Sequence, residues 1–308
     1  MPGNWRVLDF TAFKGELRFD KSSRKLLVCS SDPPGCTPVS LSDVAIAFIG
    51  IGVRIGAGVM FHFAQNDIVV LHCDWKGMPV SGMYPWIDAH GRVAARQRAQ
   101  AGLSLPRSKN AWMRIVKAKV VGQSNNLALL QRVHADGVAV MARSVKSGDV
   151  SNVEGRAARA YWSSLFLFEN FSRAPGARSD PLNSMLDYAY TILRGHSVRA
   201  VLAAGLAPAL GLYHRSRQNA FALADDLIEP FRPAVDLAVA DLEGCTALDS
   251  DIKHHLHDAT VRKFDSDGKT IPTVMTEFAQ AYGRYVEGEE AFLEVPIWKP
   301  QEVLDVCR

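Results

Sequence analysis

From Ala89 to Ala135 the chain of 308 residues carries no aspartate and no glutamate. Nothing in that stretch offsets Arg92, Arg96, Arg98, Arg107, Lys109, Arg114, Lys117, Lys119 and Arg132, whereas acidic residues outnumber basic ones from Asp236 onward. The modest net charge of +3 therefore hides one basic zone and one acidic zone. Cations clustered without carboxylates are the electrostatic footprint of a polyanion such as nucleic acid. A solvated surface that merely lacks acids is the plain alternative. Cysteine is sparse as well: Cys29, Cys36, Cys73, Cys245 and Cys307 form no CxxC pair. Neither a zinc knuckle nor a disulfide framework is expected, which fits a reducing cytoplasm.

Long uncharged apolar runs are missing too. Val44 to Ala64 comes nearest, but Arg54 sits at its centre and Gly50, Gly52, Gly56 and Gly58 stud it. A central Arg costs roughly 2.5–3.5 kcal/mol on insertion scales. The stretch reads as a buried strand and a short helix, with Gly50 and Gly52 at the turn, and no membrane partner is expected. No apolar segment of the secretory kind follows the start. There is no Walker loop and no Gly-x-Ser-x-Gly elbow; Gly50-x-Gly52-x-x-x-Gly56 misses the dinucleotide fingerprint. Internal repeats and low-complexity tracts are absent.

Strand signals fill the first quarter of the chain. Trp5–Phe10, Glu16–Phe19, Lys25–Cys29, Val44–Ile49 and Ile68–Cys73 are β-prone, with a turn over Asp20–Ser23. Asp32-Pro33-Pro34-Gly35 reads as a loop. Val53–Ala64 fits a helix through Ile55, Val59 and Phe63. Gly77–Pro85 is rich in Gly and Pro and reads as linker. Helical signals then take over: Val93–Ala101, Ala111–Val120, Ser151–Phe168, a helix launched by Asp180-Pro181, Ser197–Leu206, and Asn219–Leu242 disturbed at Pro230 and Pro233. Val261–Phe264 and Lys269–Val274 flank Asp265–Gly268 as a hairpin. The fold class is α+β: a β-rich domain over residues 1–76, a linker over 77–91, and a larger all-α domain over 92–308.

Three places could carry chemistry. Glu154 follows Ser151 by three, so it fits either a capping box or a free carboxylate. Arg156 and Arg159 beside it can hold phosphates or solvate the helix. His214 sits in a loop flanked by Arg215 and Arg217, cations that favour the neutral imidazole a metal requires. Asp225, Asp226 and Glu229 are spaced to neighbour one another on a helix, a repulsive arrangement unless a cation neutralises it. The alternative is a stripe of Asp225, Glu229, Arg232 and Asp236 facing water. Oxygen ligands with one imidazole suit Mg²⁺ or Mn²⁺, and such an ion beside a basic surface implies phosphodiester chemistry. His254, His255 and His257 form a rival cluster, with no further ligand evident.

Together these blocks resemble the CRISPR-associated integrase family, Cas1. The resemblance rests on Leu41-Ser42-Asp43-Val44-Ala45 with Ile49-Gly50-Ile51-Gly52, on Val153–Trp162, on Asp180–Tyr190, and on His214 followed by Asp226–Pro233. It implies a β-rich domain before a helical catalytic domain. It implies metal ligation by Glu154, His214 and Glu229, with Asp226 near, and insertion of captured DNA into a CRISPR repeat by attack of a 3′-hydroxyl. It also implies a homodimer, two of which join a dimer of the small companion Cas2. The Glu229-Pro230-Phe231-Arg232-Pro233 form resembles members from type II systems, which work beside an RNA-guided effector nuclease. Double-stranded DNA is expected on Arg92, Arg96, Arg98, Lys117 and Lys119, joined by Arg156, Arg159 and Arg217. A non-catalytic DNA-binding scaffold is the competing reading.

Overall fold

The computed structural model describes residues 6–75, 77, 79–85, 91–166, 171–177, 180–214, 218–264 and 266–300. The chain divides into two compact units, Met1–His90 and Gly91–Arg308. Strands dominate the first and helices fill the second, the expected α+β class.

In the first unit, β1 (Arg6–Phe10), β5 (Val44–Ile49), β7 (Val69–Cys73) and β8 (Pro79–Met83) form one sheet in that order. β5 has a parallel neighbour on each side and is buried at every position. A strand so enclosed needs a continuous apolar run, and Val-Ala-Ile-Ala-Phe-Ile supplies it. The second sheet runs β4 (Pro34–Val39), β3 (Lys25–Ser31), β2 (Gly15–Asp20), β6 (Val53–Ile55). Helix α1 (Ala57–Gln65) contributes Val59 and Phe63 to a core shared with Leu17, Leu26 and Val70.

Four features depart from the sequence reading. Val53–Ile55 is a strand, because these residues pair in parallel with β2; the helix begins only after Gly56. The loop expected over Asp32–Gly35 shrinks to Asp32-Pro33, and β4 begins at Pro34. Proline is tolerated there because β4 is an edge strand. The same hairpin register sets Cys29 opposite Cys36, and the two are disulfide-bonded. Scanning for CxxC passes over such a pair, which becomes adjacent only through strand pairing, and the cysteine argument for a reducing compartment falls with it. Finally, residues 79–83, expected in a linker, pair with β7 as β8.

The second unit is built on α3 (Leu105–Leu129), whose 25 residues extend at both ends well beyond the Ala111–Val120 that the sequence suggested. Trp112, Ile115, Val116, Val120 and Leu127 face its core. Around it stand α2 (Val93–Ala101), α4 (Ala135–Ser144), α5 (Val153–Leu165) and α6 (Pro181–Ala203). Then follow α7 (Ala222–Leu227), a 3₁₀ turn over Glu229–Phe231, α8 (Arg232–Ala240), α9 (Ser250–Val261) and α10 (Ile271–Glu287). α4, α9 and α10 had no helical counterpart in the sequence reading, and α10 begins inside the expected strand Lys269–Val274. The two helical signals at 181–193 and 197–206 merge into the single α6. The hairpin expected around residues 261–274 reduces to one bridge, Lys263 to Thr270, between α9 and α10. Among the described residues, no helix is long and apolar enough to cross a membrane.

Candidate active site

Glu154 opens α5, but it does not cap it. Asn152 is the N-cap and accepts from Gly155 N, while both oxygens of Asp149 accept from Val153 N and Glu154 N at 2.9 Å. These acceptors satisfy the orphan N–H groups of the first turn. Of the two readings of Glu154, the capping box with Ser151 is therefore not formed. The Glu154 side chain turns instead to α3, where Lys119 Nζ donates to its Oε1 at 2.6 Å.

The acidic segment does not face water. Asp225, Asp226, Glu229 and Asp236 are all buried, which overturns the reading of a solvated stripe. Pro230 and Pro233 break helical continuity, as proline lacks the N–H that a helix interior uses. Glu229 thus stands in the short turn between α7 and α8. Its Oε2 lies 2.6 Å from Lys119 Nζ and its Oε1 3.0 Å from Arg232 Nε. Burial works to raise the Glu229 carboxyl pKa, but Arg232 and Lys119 together hold it below its ordinary value. Asp225 is occupied by Arg194 and Asn219. Asp236, pressed against the hydroxyl of Tyr190, is pushed up to about 7 by burial.

Asp226 departs most from the ligand role expected of it. It is fully buried, and its Oδ2 accepts from Leu212 N at 2.6 Å and Tyr213 N at 3.0 Å. Its Oδ1 takes His214 Nδ1 at 2.6 Å. With both oxygens spent on the loop, Asp226 braces His214 rather than reaching past it. Gly211 makes this wrapping possible: a Cβ there would stand 2.4 Å from His214 O and 3.0 Å from Asp226 Oδ2. The Asp226 hydrogen bond raises the His214 pKa, opposite to the direction expected from Arg215 and Arg217. Those two residues and Ser216 lie outside the described residues. Trp112 and Tyr213 meet the imidazole edge-on, and Nε2 is the ring nitrogen left for another partner.

Lys119 therefore joins Glu154 and Glu229, which arrive from two different elements. Burial disfavours its charge, yet the two carboxylates hold its pKa above the ordinary value. Glu229 also feels the charge of His214. Among the described residues, no three His, Cys, Asp or Glu side chains already surround one point. The donor set nonetheless fits a hard divalent cation: two carboxylates converging on one positive charge, beside an imidazole whose Nδ1 is held by a carboxylate. Lys119 was expected on DNA. A polar strip on α3, comprising Lys119, Gln123 and Asn126, is the sequence signal that could have placed it inward.

The remaining expected DNA contacts divide. Arg96 is buried, with Nε on Glu287 and Nη1 on Ala204 O and Gln280, so it ties α2 to α10. Arg92 shares Glu287. The basic zone thus draws its counter-charges from distant acids. Arg98, Arg156 and Arg159 are exposed, and Lys117 is half-buried. Arg217 lies outside the described residues. In the rival histidine cluster, His254 engages Ser250 O, His255 meets Ala238 O, and His257 stacks on Tyr188 and bonds its hydroxyl. His255 and His257 thus tie α9 to α8 and α6, while His254 stays on its own helix.

The family model described as CRISPR associated protein Cas1 matches residues 18–259. A CRISPR-associated endonuclease Cas1 of Neisseria meningitidis serogroup C (strain 8013) is 34% identical over 227 residues, 71% of this chain and 70% of that protein. Among solved structures, a casposase bound to integration product superposes with a TM-score of 0.77 at 21% identity, covering 98% of this chain and 95% of that one. A Cas1 protein from Thermotoga maritima gives 0.73 at 16% identity, with 94% and 99% covered. A chain of a Cas6-RT-Cas1–Cas2 complex gives 0.74 at 18% identity, covering 97% of this chain and 36% of that one. These structural likenesses bear on the fold.

Proposed function

This chain belongs to the Cas1 family of CRISPR-associated proteins, and from that premise we propose that it is a metal-dependent DNA integrase and endonuclease of CRISPR adaptation. The observation that carries the reading is the convergence of Glu154 and Glu229 on one cation, beside the braced His214. Mg²⁺ or Mn²⁺ would be held by Glu154, Glu229 and His214 Nε2, and when bound supplies positive charge that polarises a phosphoryl oxygen and favours an attacking or leaving oxygen. Asp226 is a positioning residue: it fixes the imidazole so that Nε2 presents its lone pair.

The reaction is a transesterification. The 3′-hydroxyl of captured DNA forms a new P–O bond at the edge of a CRISPR repeat, and the bond to the repeat's own 3′-oxygen breaks. One phosphodiester replaces another, so no oxidant and no separate energy source is needed. The protein's part is alignment of the strands, with exposed Arg98, Arg156 and Arg159 and half-buried Lys117 holding backbone phosphates. Nicking of branched DNA uses the same groups with water in place of the hydroxyl. Double-stranded DNA, a second copy of this chain and a Cas2-type companion are the partners, arranged as two dimers on one companion dimer. The type II effector nuclease is a further partner, and the cytoplasm, where the DNA lies, is the location.

The test is strand transfer of labelled duplex into a repeat-bearing plasmid by the protein with its companion, in Mg²⁺, Mn²⁺ or EDTA. Glu154→Ala, His214→Ala and Glu229→Ala should each abolish product while retaining DNA binding. Metal-independent binding with no transfer by the wild type would leave a non-catalytic scaffold as the function.

A further inference from the structure

Lys119 stands where two carboxylates of the proposed site meet, and the sequence pattern of that site gives it no part. Its Nζ is 2.6 Å from Glu154 Oε1 and 2.6 Å from Glu229 Oε2. The two oxygens therefore lie within about twice that distance of each other, whereas a small divalent cation bound by both holds its oxygens at ~2.1 Å. The ammonium occupies the space such a cation would use. We infer that Lys119 is the site's resident counter-cation, holding Glu154 and Glu229 together without metal and competing with the metal for them. The inference rests on the metal-dependent reading given above.

Glu229 has two cations of unlike mobility. Arg232 meets Oε1 through Nε, and its guanidinium lies over the Tyr190 ring at 4.3 Å, so it is held by a second surface. Lys119 has no polar partner besides the two carboxylates among the described residues. Neither its contact with Glu229 Oε2 nor that of Arg232 Nε with Oε1 is aligned as a hydrogen bond, so the stacking on Tyr190 is what sets the two cations apart. A compact ammonium on a flexible stem can withdraw where a pinned guanidinium cannot. The site is also reachable, since the side chains of Lys119 and Glu154 keep 13% and 24% of their surface. Two carboxylates brought together in a largely buried place are unfavourable without a positive charge. Lys119 removes that penalty from the metal-free protein, and in doing so weakens the pull on an incoming ion.

The experiment uses the full chain as wild type, Lys119→Met, Lys119→Arg and the double variant Lys119→Met/Glu154→Gln. Mn²⁺ binding is read by calorimetry, and thermal unfolding with and without Mn²⁺. Lys119→Met should bind Mn²⁺ roughly tenfold more tightly or better, the scale of removing one close charge in a protein environment. Its metal-free Tm should fall, and its rise in Tm on adding Mn²⁺ should exceed that of the wild type. Lys119→Arg should restore the metal-free Tm, and the double variant should recover most of it. If Lys119→Met is unfolded without metal, refolding on Mn²⁺ supports the inference and failure to refold overturns it. Lys119→Met binding no more tightly than a wild type that does bind Mn²⁺ removes the role of Lys119 alone. Absence of binding in every form removes the metal reading, and the competition with it.

Discussion

Asp226 is held by the loop it organises, and a single methyl group should expose how tightly. Gly211→Ala would push a Cβ to 2.4 Å from the carbonyl of His214 and 2.9 Å from Ala222 Cβ, neither of which is the far end of a long side chain that could swing aside. Overpacking of this kind costs ~1–3 kcal/mol. The expected outcome is a small drop in Tm with a much larger loss of strand transfer, because the displaced atoms carry His214. Asp236 offers a second test. Its carboxyl is pushed up to about 7 by burial, from an ordinary value of 3.8. A raised folded pKa contributes stability that is complete below the ordinary value and is lost as pH rises through the folded one. Wild-type stability should therefore fall from about pH 4 to pH 7 through this group. Asp236→Asn, which cannot ionise, should escape that fall, and denaturant melts across the range should show the variant gaining on the wild type by up to a few kcal/mol. Glu154, His214 and Glu229 could be nominated from the sequence because few residue types suit the proposed ligation and the resemblance to Cas1 chose among them. The inward turn of Lys119 and Arg96 was not, since their partners lie on elements far along the chain.

Helix termini decide what the acidic residues are free to do. Asn152 and Asp149 together satisfy the start of α5, which releases Glu154 toward Lys119. Asn152→Ala should cost about 1 kcal/mol, the usual effect of removing an N-cap, and leave metal-dependent transfer near wild type once the protein is kept below its lowered Tm. A large loss of activity at full folding would mean that the cap also sets the position of Glu154. The start of α6 was readable because Asp180 before Pro181 is a capping signal of short range, and Asp180 does accept from Asn183 N. The breaks at Pro230 and Pro233 were readable for the same reason. β6 and β4 were not, because their identity depends on which strand edge lies beside them. α4 was missed because His134 opens it in the left-handed conformation, where no Ser, Thr, Asp or Asn marks the cap.

Across the helical unit, cations divide into those paired within the protein and those left exposed. Arg98, Arg156 and Arg159 belong to the second kind. Changing all three to Ala should weaken binding alike for duplexes of unrelated sequence and flatten the salt dependence, by roughly 0.9 in log–log slope for each phosphate no longer neutralised. Arg96→Ala should instead lower Tm, since it strips Glu287 of a buried partner, and should leave the slope unchanged in protein that remains folded. Fluorescence titrations over a salt series separate the two kinds. In the strand-rich unit, β4 closes one side of its sheet with Pro34 and Pro38 in six residues. Proline at those points keeps the ladder with β3 intact only if its nitrogen faces outward, so the outer rim offers carbonyls with donors missing between them. A passing extended chain finds no continuous template there. At the opposite rim, β6 has only three residues to offer. Neither flank of that sheet lends itself to runaway stacking of one molecule on the next, so copies of this chain meet no ready template there for joining sheet to sheet.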